Sequence, residues 1–240
     1  SRLSTERVEQ APDGRLRFVR ECDGVMGTAV TLTLFGEDEK ALAAAAEAAH
    51  ERMVELEARW STWKPDSEIS RVNACAGTGV RVSPDTFELV GRALILGRTT
   101  AGAFDVTVGP LVRLWRKRTT LPADEELAAA RALVGVHRVR LVPPPLSAVL
   151  LEPGSSLDLG GIAKGTIVDA AAAVLREHGV EAFLVTAGGD MRGHGDASVG
   201  GGVLVALRDP RGGRGDLLPD GKLVLRGAAV CTSGSYERFT

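Results

Sequence analysis

A fold that mixes β-strands with helices is predicted by three features of this 240-residue sequence. Residues 16–35, LRFVRECDGVMGTAVTLTLF, form two β-rich runs broken at Asp23-Gly24, which predicts two strands joined by a turn. Residues 37–60 open acidic and are rich in helix formers, with Leu42, Ala46, Met53, Leu56 and Trp60 recurring near helical spacing, which predicts a long helix. The second half alternates apolar runs with glycine clusters at Gly160-Gly161, Gly188-Gly189 and 200–202.

The remaining elements follow in order. Ser83-Pro84 has the form of a helix start, and Thr86 to Thr99 continues it with Leu89, Ala93 and Leu96 on one face, ending near Gly102. FDVTVGPLVRLWRK starts extended and turns helical after Pro110, and 123–134 is a short Ala-rich helix. Pro143-Pro144-Pro145 divides VHRVRLV from SAVLLE, a strand pair with a rigid turn. A helix is expected over 163–178 and strands over 182–187, 203–207 and 222–231, with 210–221, PRGGRGDLLPDG, as a surface loop.

Composition narrows the function. With 29 basic and 31 acidic residues the net charge is -2, so nothing suggests a nucleic-acid grip or a polybasic membrane patch; small substrates or protein partners fit better. Hydrophobic residues at 44% and charged residues at 25% are globular proportions, and the length allows a core large enough for an enzyme. Cys22, Cys75 and Cys231 are odd in number and far apart, which excludes a full disulfide framework and a spaced zinc cluster. No run approaches the roughly 18 apolar residues of a membrane span. The opening SRLSTERVEQAPDG is polar, and no signal peptide is expected in it.

Chemistry is most legible in SLDLGGIAKGTIVD, where an apolar strand is expected to end at Asp158 and a glycine pair leads into a helix. Glycines let backbone N–H groups approach an anion, the helix N-terminus adds positive potential, and Lys164 stands in the first turn. The spacing is neither a Walker A loop nor GxGxxG, and a tight strand-to-helix turn is the alternative. TAGGDMRGHG, 186–195, again places glycines and an acid at a strand's carboxyl end; Asp190 could bind a hydroxyl or a metal, or bond its own turn. AGAFDVTVGP sets Phe104 beside Asp105, an aromatic ring over a carboxylate suited to ribose or base, unless Phe104 is ordinary core. Two tryptophans in RWSTWKPDSEISRVN either stack on a ligand or cap a helix end, and Trp63 is expected to be the exposed one. Thr232, Ser233 and Ser235 offer hydroxyls to a phosphate or a flavin edge, with no His-Asp pattern to make a nucleophilic serine.

In this order, VMGTAVTLTLFG, STWKPDSEISRVN, AGAFDVTVGPLVRLW, LDLGGIAKGTIVD, TAGGDMRGHG and TSGSYER resemble the successive motifs of the FAD:protein FMN transferases, the ApbE-type flavin transferases, from about Met26 to Arg238. The resemblance implies an α+β, T-fold-like fold in a single domain over 1–240, FAD as donor and Mg²⁺ as metal. The FMN half of FAD would move through a phosphoester onto a Thr or Ser of an acceptor flavoprotein, releasing AMP. By the same resemblance Met26 and Trp63 would flank the adenine or flavin rings, and Ala103, Phe104 and Asp105 would hold the adenosine end. Lys164 and Asp169 would sit near phosphate and ribose, Gly160 and Gly161 would line the pyrophosphate, and the Ala163 carbonyl would be one Mg²⁺ ligand. Gly189, Asp190, Thr232 and Ser233 complete the expected flavin contacts.

Family members continue past TSGxYER into a strand-rich tail with an H-I-D-P-x-T-G-like stretch and later Asp and Thr metal ligands. The catalytic residues are expected in such a tail, and none is assigned within the 240 residues. Two other readings of the same pocket are a FAD pyrophosphatase yielding FMN and AMP, and a non-catalytic flavin-binding or scavenging protein. Family members are usually exported and membrane-tethered, and the sequence leaves the compartment open. Asp105→Ala is expected to weaken FAD binding far more than stability, because a polar residue after a glycine hinge is not expected in the core.

Overall fold

The computed structural model describes residues 4–116, 120–144, 147–197, 201–209, 211 and 217–233. The chain divides into two compact units, Ser1–Glu55 with Lys164–Thr240, and Leu56–Ala163.

The first unit is built on a sheet of six strands, β1 (Ser4–Gln10), β2 (Leu16–Val25), β3 (Thr28–Gly36), β7 (Ala182–Ala187), β8 (Asp190–His194) and β11 (Ala228–Cys231). They lie side by side in that order, antiparallel throughout. β9 (Val203–Arg208) and β10 (Leu217–Leu225) form a separate antiparallel pair. Cross-strand partners share a face, so Phe18, Leu34 and Phe183 lie in one row, Arg20, Leu32, Val185 and Arg192 in the next, and Cys22, Val30, Ala187, Asp190 and Cys231 in a third. The large apolar members of these rows are fully buried, and this face carries the core. Helix α1 (Glu39–Trp60) reaches it through Glu47, which accepts from Arg20 Nη2. Helix α6 (Ala163–Glu177) reaches the same face through Lys164 and Asp169, and buries Ile167, Val168, Ala171, Ala172 and Leu175, a stripe at helical spacing. An antiparallel sheet with both helices on one face is the α+β arrangement.

The second unit holds α2 (Glu68–Ala74), α3 (Pro84–Thr99), α4 (Gly109–Trp115) and α5 (Asp124–Arg131). With them are three short strands, β4 (Val80–Arg81), β5 (Val139–Val142) and β6 (Ala148–Leu151), paired into a sheet with β6 at its centre. Ser67 caps α2 and Ser83 caps α3 by accepting from the N–H groups of Ser70 and Thr86 at 3.0 and 3.3 Å. The Ser83 hydroxyl and N–H in turn donate to Glu68 at 2.9 and 3.0 Å, joining the two helix starts.

Several expectations are corrected. The turn between β2 and β3 is Met26-Gly27, both left-handed at φ 53° and 66°, as a two-residue hairpin requires; Asp23-Gly24 is a bulge within β2, where the register shifts. The run ending at Asp158 is not a strand but carries a single parallel bridge, Val108 to Ser156. The expected strand 222–231 is two strands, β10 and β11, parted by Gly227 at φ 64°, and β10 takes in residues 217–221 of the expected loop. β1, β8 and α2 arise where the sequence pattern predicts no element.

Candidate functional site

In the first unit the sheet brings several expected residues to one end. The Met26-Gly27 turn leads into β3, the Gly188-Gly189 turn joins β7 to β8, and β11 finishes at Cys231 opposite Asp190. These turns are closely fitted. A Cβ on Gly189 would stand 2.6 Å from Thr232 Oγ1 and 2.7 Å from its carbonyl oxygen, and Thr232 N–H donates to the Gly189 carbonyl at 2.9 Å. Thr232 and Ser233 are exposed at the strand end, and the rest of TSGSYER lies outside the described residues.

Helix α6 supplies the cation. Lys164 Nζ stands 3.4 Å from Asp190 Oδ2, and two residues along β8 Arg192 Nη1 stands 3.4 Å from Asp169 Oδ1. Asp169 is thus engaged by an arginine of the sheet, while Asp190, with its side chain only 13% exposed, is held by the lysine. The first turn of α6 contains no acidic residue, so its positive end faces no competing anion from within that turn.

Cys231, exposed beside Asp190, has its thiol pushed above the usual range by partial desolvation and then by the Asp190 charge, which also accepts its hydrogen bond. The raised value favours the protonated thiol in the folded state, a contribution present below the ordinary thiol range and lost as pH rises through the folded value. We expect Cys231 to be carboxamidomethylated by iodoacetamide at pH 8 more slowly than free cysteine, and Asp190→Asn to speed it. Peptide mapping separates this site from Cys75, which is also exposed; equal rates for Cys231 and free cysteine would contradict the assignment.

The second unit gathers the others. The AGAFD and DLGG segments meet: Asp158 N–H donates to the Val106 carbonyl at 2.8 Å, and Phe104 packs on Gly161, where a Cβ would come within 3.2 Å of its ring. Gly109, at the start of α4, lies against Ser156 so closely that a Cβ would stand 2.6 Å from the Ser156 carbonyl oxygen and collide with its hydroxyl. Asp158 Oδ1 accepts from Gly160 N–H at 2.9 Å, shaping the turn before α6. Ala103 is exposed in the turn after α3, Phe104 is half-buried, and Trp63 is 72% exposed, whereas Trp60 is buried with its Nε1 donating to Thr86 at 2.9 Å.

Asp105 is an anchor as well as a candidate ligand. Its Oδ1 accepts from the N–H and hydroxyl of the fully buried Thr107 at 2.7 and 2.6 Å, and the Thr107 oxygen accepts from Gly135 N–H at 2.6 Å. This revises the expectation that alanine here would spare stability. Asp105→Ala should leave two buried donors unsatisfied, cost about 1–3 kcal/mol and lower Tm by several degrees, while Asp105→Asn keeps the acceptor and melts near wild type. Thermal melts of the pair decide it; a wild-type Tm for the alanine variant would contradict the anchor.

Sequence reasoning misses two residues of this cluster. Asp158 reads there only as a strand end, and Arg116 does not stand out at all. The Arg116 guanidinium carbon lies 4.0 Å from the Trp63 ring centroid, and its Nη2 is 3.3 Å from Thr62 Oγ1 and 4.0 Å from Asp158 Oδ2. A cation three residues beyond Arg113 in an arginine-rich chain carries no signal of its own; only the exposed tryptophan hints at a partner.

The metal finds less support. Among the described residues no group of three or more His, Cys, Asp or Glu is arranged to hold an ion, and Ala163 offers one carbonyl in the first turn of α6. Mg²⁺ takes oxygen ligands in near-octahedral geometry and keeps several waters, so one or two carboxylates with a substrate phosphate suffice to hold it.

The fold is that of a mixed α and β protein, with glycine-fitted turns and a helix-borne lysine in the first unit and an exposed indole in the second. The ApbE family model matches residues 26–240, and the chain belongs to the ApbE family. It is 32% identical over 219 residues to the FAD:protein FMN transferase of Klebsiella pneumoniae, covering 90% of this chain and 66% of that protein. It is 31% identical over 215 residues to the FAD:protein FMN transferase of Haemophilus influenzae, covering 84% and 62%. The crystal structure of the ApbE protein from Thermotoga maritima superposes with a TM-score of 0.79 at 29% identity, covering 98% of this chain and 72% of that one. The chain thus spans a little under two thirds of the length of the two curated relatives. The mixed fold is the one expected, and among the described residues no helix is long and apolar enough to cross a membrane.

Proposed function

We propose that this protein transfers the FMN half of FAD to a Thr or Ser hydroxyl of an acceptor flavoprotein, releasing AMP. The observation that carries the reading is the match of the ApbE family model across residues 26–240. The acceptor oxygen forms a bond to the FMN phosphorus, the bond from that phosphorus to the bridging oxygen breaks, AMP departs with the bridging oxygen, and the hydroxyl proton is released. Because the nucleophile belongs to the acceptor, the reading requires no nucleophilic triad in this chain.

In this reading Lys164 and the positive end of α6 balance the negative charge that gathers on the diphosphate as AMP departs. Trp63 offers an exposed ring face and the half-buried Phe104 a second ring, and Gly160, Gly161 and Gly189 are proposed neighbours of the diphosphate. Met26 at its hairpin turn, Ala103, Asp105, Asp169, Thr232 and Ser233 remain proposed contacts. Mg²⁺ is proposed as a requirement of the reaction because diphosphate cleavage develops negative charge. The described residues gather no group of three or more His, Cys, Asp or Glu for it, and no step is assigned to it.

The test is incubation with FAD, Mg²⁺ and an apo-flavoprotein that an ApbE relative labels under the same conditions. We expect a flavin-fluorescent acceptor band that survives denaturation and disappears with EDTA. No band, with the relative's control positive, would overturn the proposal.

A further inference from the structure

Trp63 stands 72% exposed, and a large apolar side chain in water has no packing of its own to hold its plane. What holds it is Arg116. The guanidinium lies over the indole at 4.0 Å from the ring centroid, the arrangement in which a cation is attracted by the face of a tryptophan. Arg116 is itself fixed from three sides. Its backbone caps α4, with its N–H donating to the Val112 carbonyl at 3.1 Å. Its Nη2 lies 3.3 Å from Thr62 Oγ1, beside the same tryptophan, and 4.0 Å from Asp158 Oδ2. Asp158 in turn receives Gly160 N–H through its other oxygen at 2.9 Å. A continuous series of contacts therefore runs within one unit from the glycine turn through a carboxylate and a guanidinium to an exposed ring.

We propose that Arg116 is a positioning residue for the dinucleotide: it fixes the Trp63 indole so that the ring stacks on an aromatic ring of FAD. The inference rests on the flavin-transferase reading and deepens it by assigning the aromatic platform a support that acts through Trp63 and not by direct contact. A lysine would keep the charge but lose the flat surface that lies on the indole.

The experiment is a double-mutant cycle on FAD binding by the full chain, with dissociation constants measured by calorimetry without acceptor. Arg116→Ala is expected to weaken FAD binding by about fivefold, the size of an exposed to partly desolvated cation–π contact. Arg116→Lys is expected to recover part of that loss, and Trp63→Ala to lose more than either. The decisive arm is the pair: in the Trp63→Ala background, Arg116→Ala should add almost nothing. Equal losses in both backgrounds would overturn the positioning role, as would unchanged affinity for Arg116→Ala or Trp63→Ala. A merely structural role would lower the melting temperature of Arg116→Ala and leave an equal loss in both backgrounds. A wild-type chain that does not bind FAD at all would overturn the functional reading and this inference with it, whereas a wild type that binds with an uncoupled cycle would overturn this inference alone.

Discussion

Gly109→Ala is expected to lower Tm by about 5–10 °C and to cut acceptor labelling more than tenfold. The new Cβ would collide with the Ser156 hydroxyl and stand 2.6 Å from the Ser156 carbonyl oxygen, and the second of these clashes cannot be relieved by turning a side chain. Something in the backbone must move. Val108 bridges to Ser156, and two residues on, Asp158 donates to Val106, so the displaced segment is the one that seats Asp158. Overpacking of a buried site costs roughly 1–3 kcal/mol, and for a chain of this size each kcal/mol shifts Tm by about 2–4 °C. A two-stage check separates fold from site. Ser156→Ala added to Gly109→Ala removes the hydroxyl clash and should recover only part of the Tm, because the carbonyl contact stays. A single variant that melts and labels like wild type would show that the close approach does not exist.

Lys164→Ala is expected to slow AMP release in a single turnover at saturating FAD by about 10²-fold, in line with removing one preorganised stabiliser of developing negative charge. The loss should fall on the rate more than on FAD affinity, because the charge in question grows as the diphosphate is cleaved. Lys164→Arg should retain part of the rate. Asp190, with its side chain 13% exposed and 3.4 Å from Lys164, loses its counter-charge in the alanine variant. Lys164→Ala with Asp190→Asn tells whether that stranded carboxylate, and not the missing ammonium, is responsible: rate restored in the double variant would shift the role from Lys164 to Asp190. An unchanged rate for Lys164→Ala alone would remove the lysine from the chemistry.

Much of the fold is legible where burial imposes a period. α1 and α6 carry apolar residues at helical spacing because one face of each is buried, and Ser83-Pro84 marks the start of α3 because an N-terminal cap has a chemical signature. β7 is legible because it is a central strand of apolar residues. β1 is not, because all seven of its residues are exposed on a sheet edge. It is held by its ladder and by pairs such as Arg7 to Glu21 at 3.1 Å and Arg17 to Glu9 at 2.6 Å, which leave no hydrophobic pattern to read. The Asp23-Gly24 dipeptide is a good turn signal that the structure uses as a bulge, because the hairpin closes two residues later at Met26-Gly27.

The site divides in the same way. Glycines beside acids and a lysine are visible in AGAFD, DLGGIAKG and TAGGD because tight turns restrict composition. The Asp105 anchor is not, since it depends on Thr107 meeting Gly135 some 28 residues on. Arg116 is invisible for the same reason: its partners, Thr62, Trp63 and Asp158, are distant in sequence, and nothing local to Arg116 distinguishes it from other arginines.

The fate of the FMN phosphorus tests the account most directly. With FAD, Mg²⁺ and an apo-flavoprotein acceptor in one vessel, AMP is quantified by chromatography and acceptor-bound FMN by intact mass. Transfer predicts AMP and covalently bound FMN in equal amounts, with the flavin on a Thr or Ser through a phosphoester and little free FMN. AMP matched by free FMN, with the acceptor's mass unchanged while a relative labels it, would make water the acceptor and contradict the account.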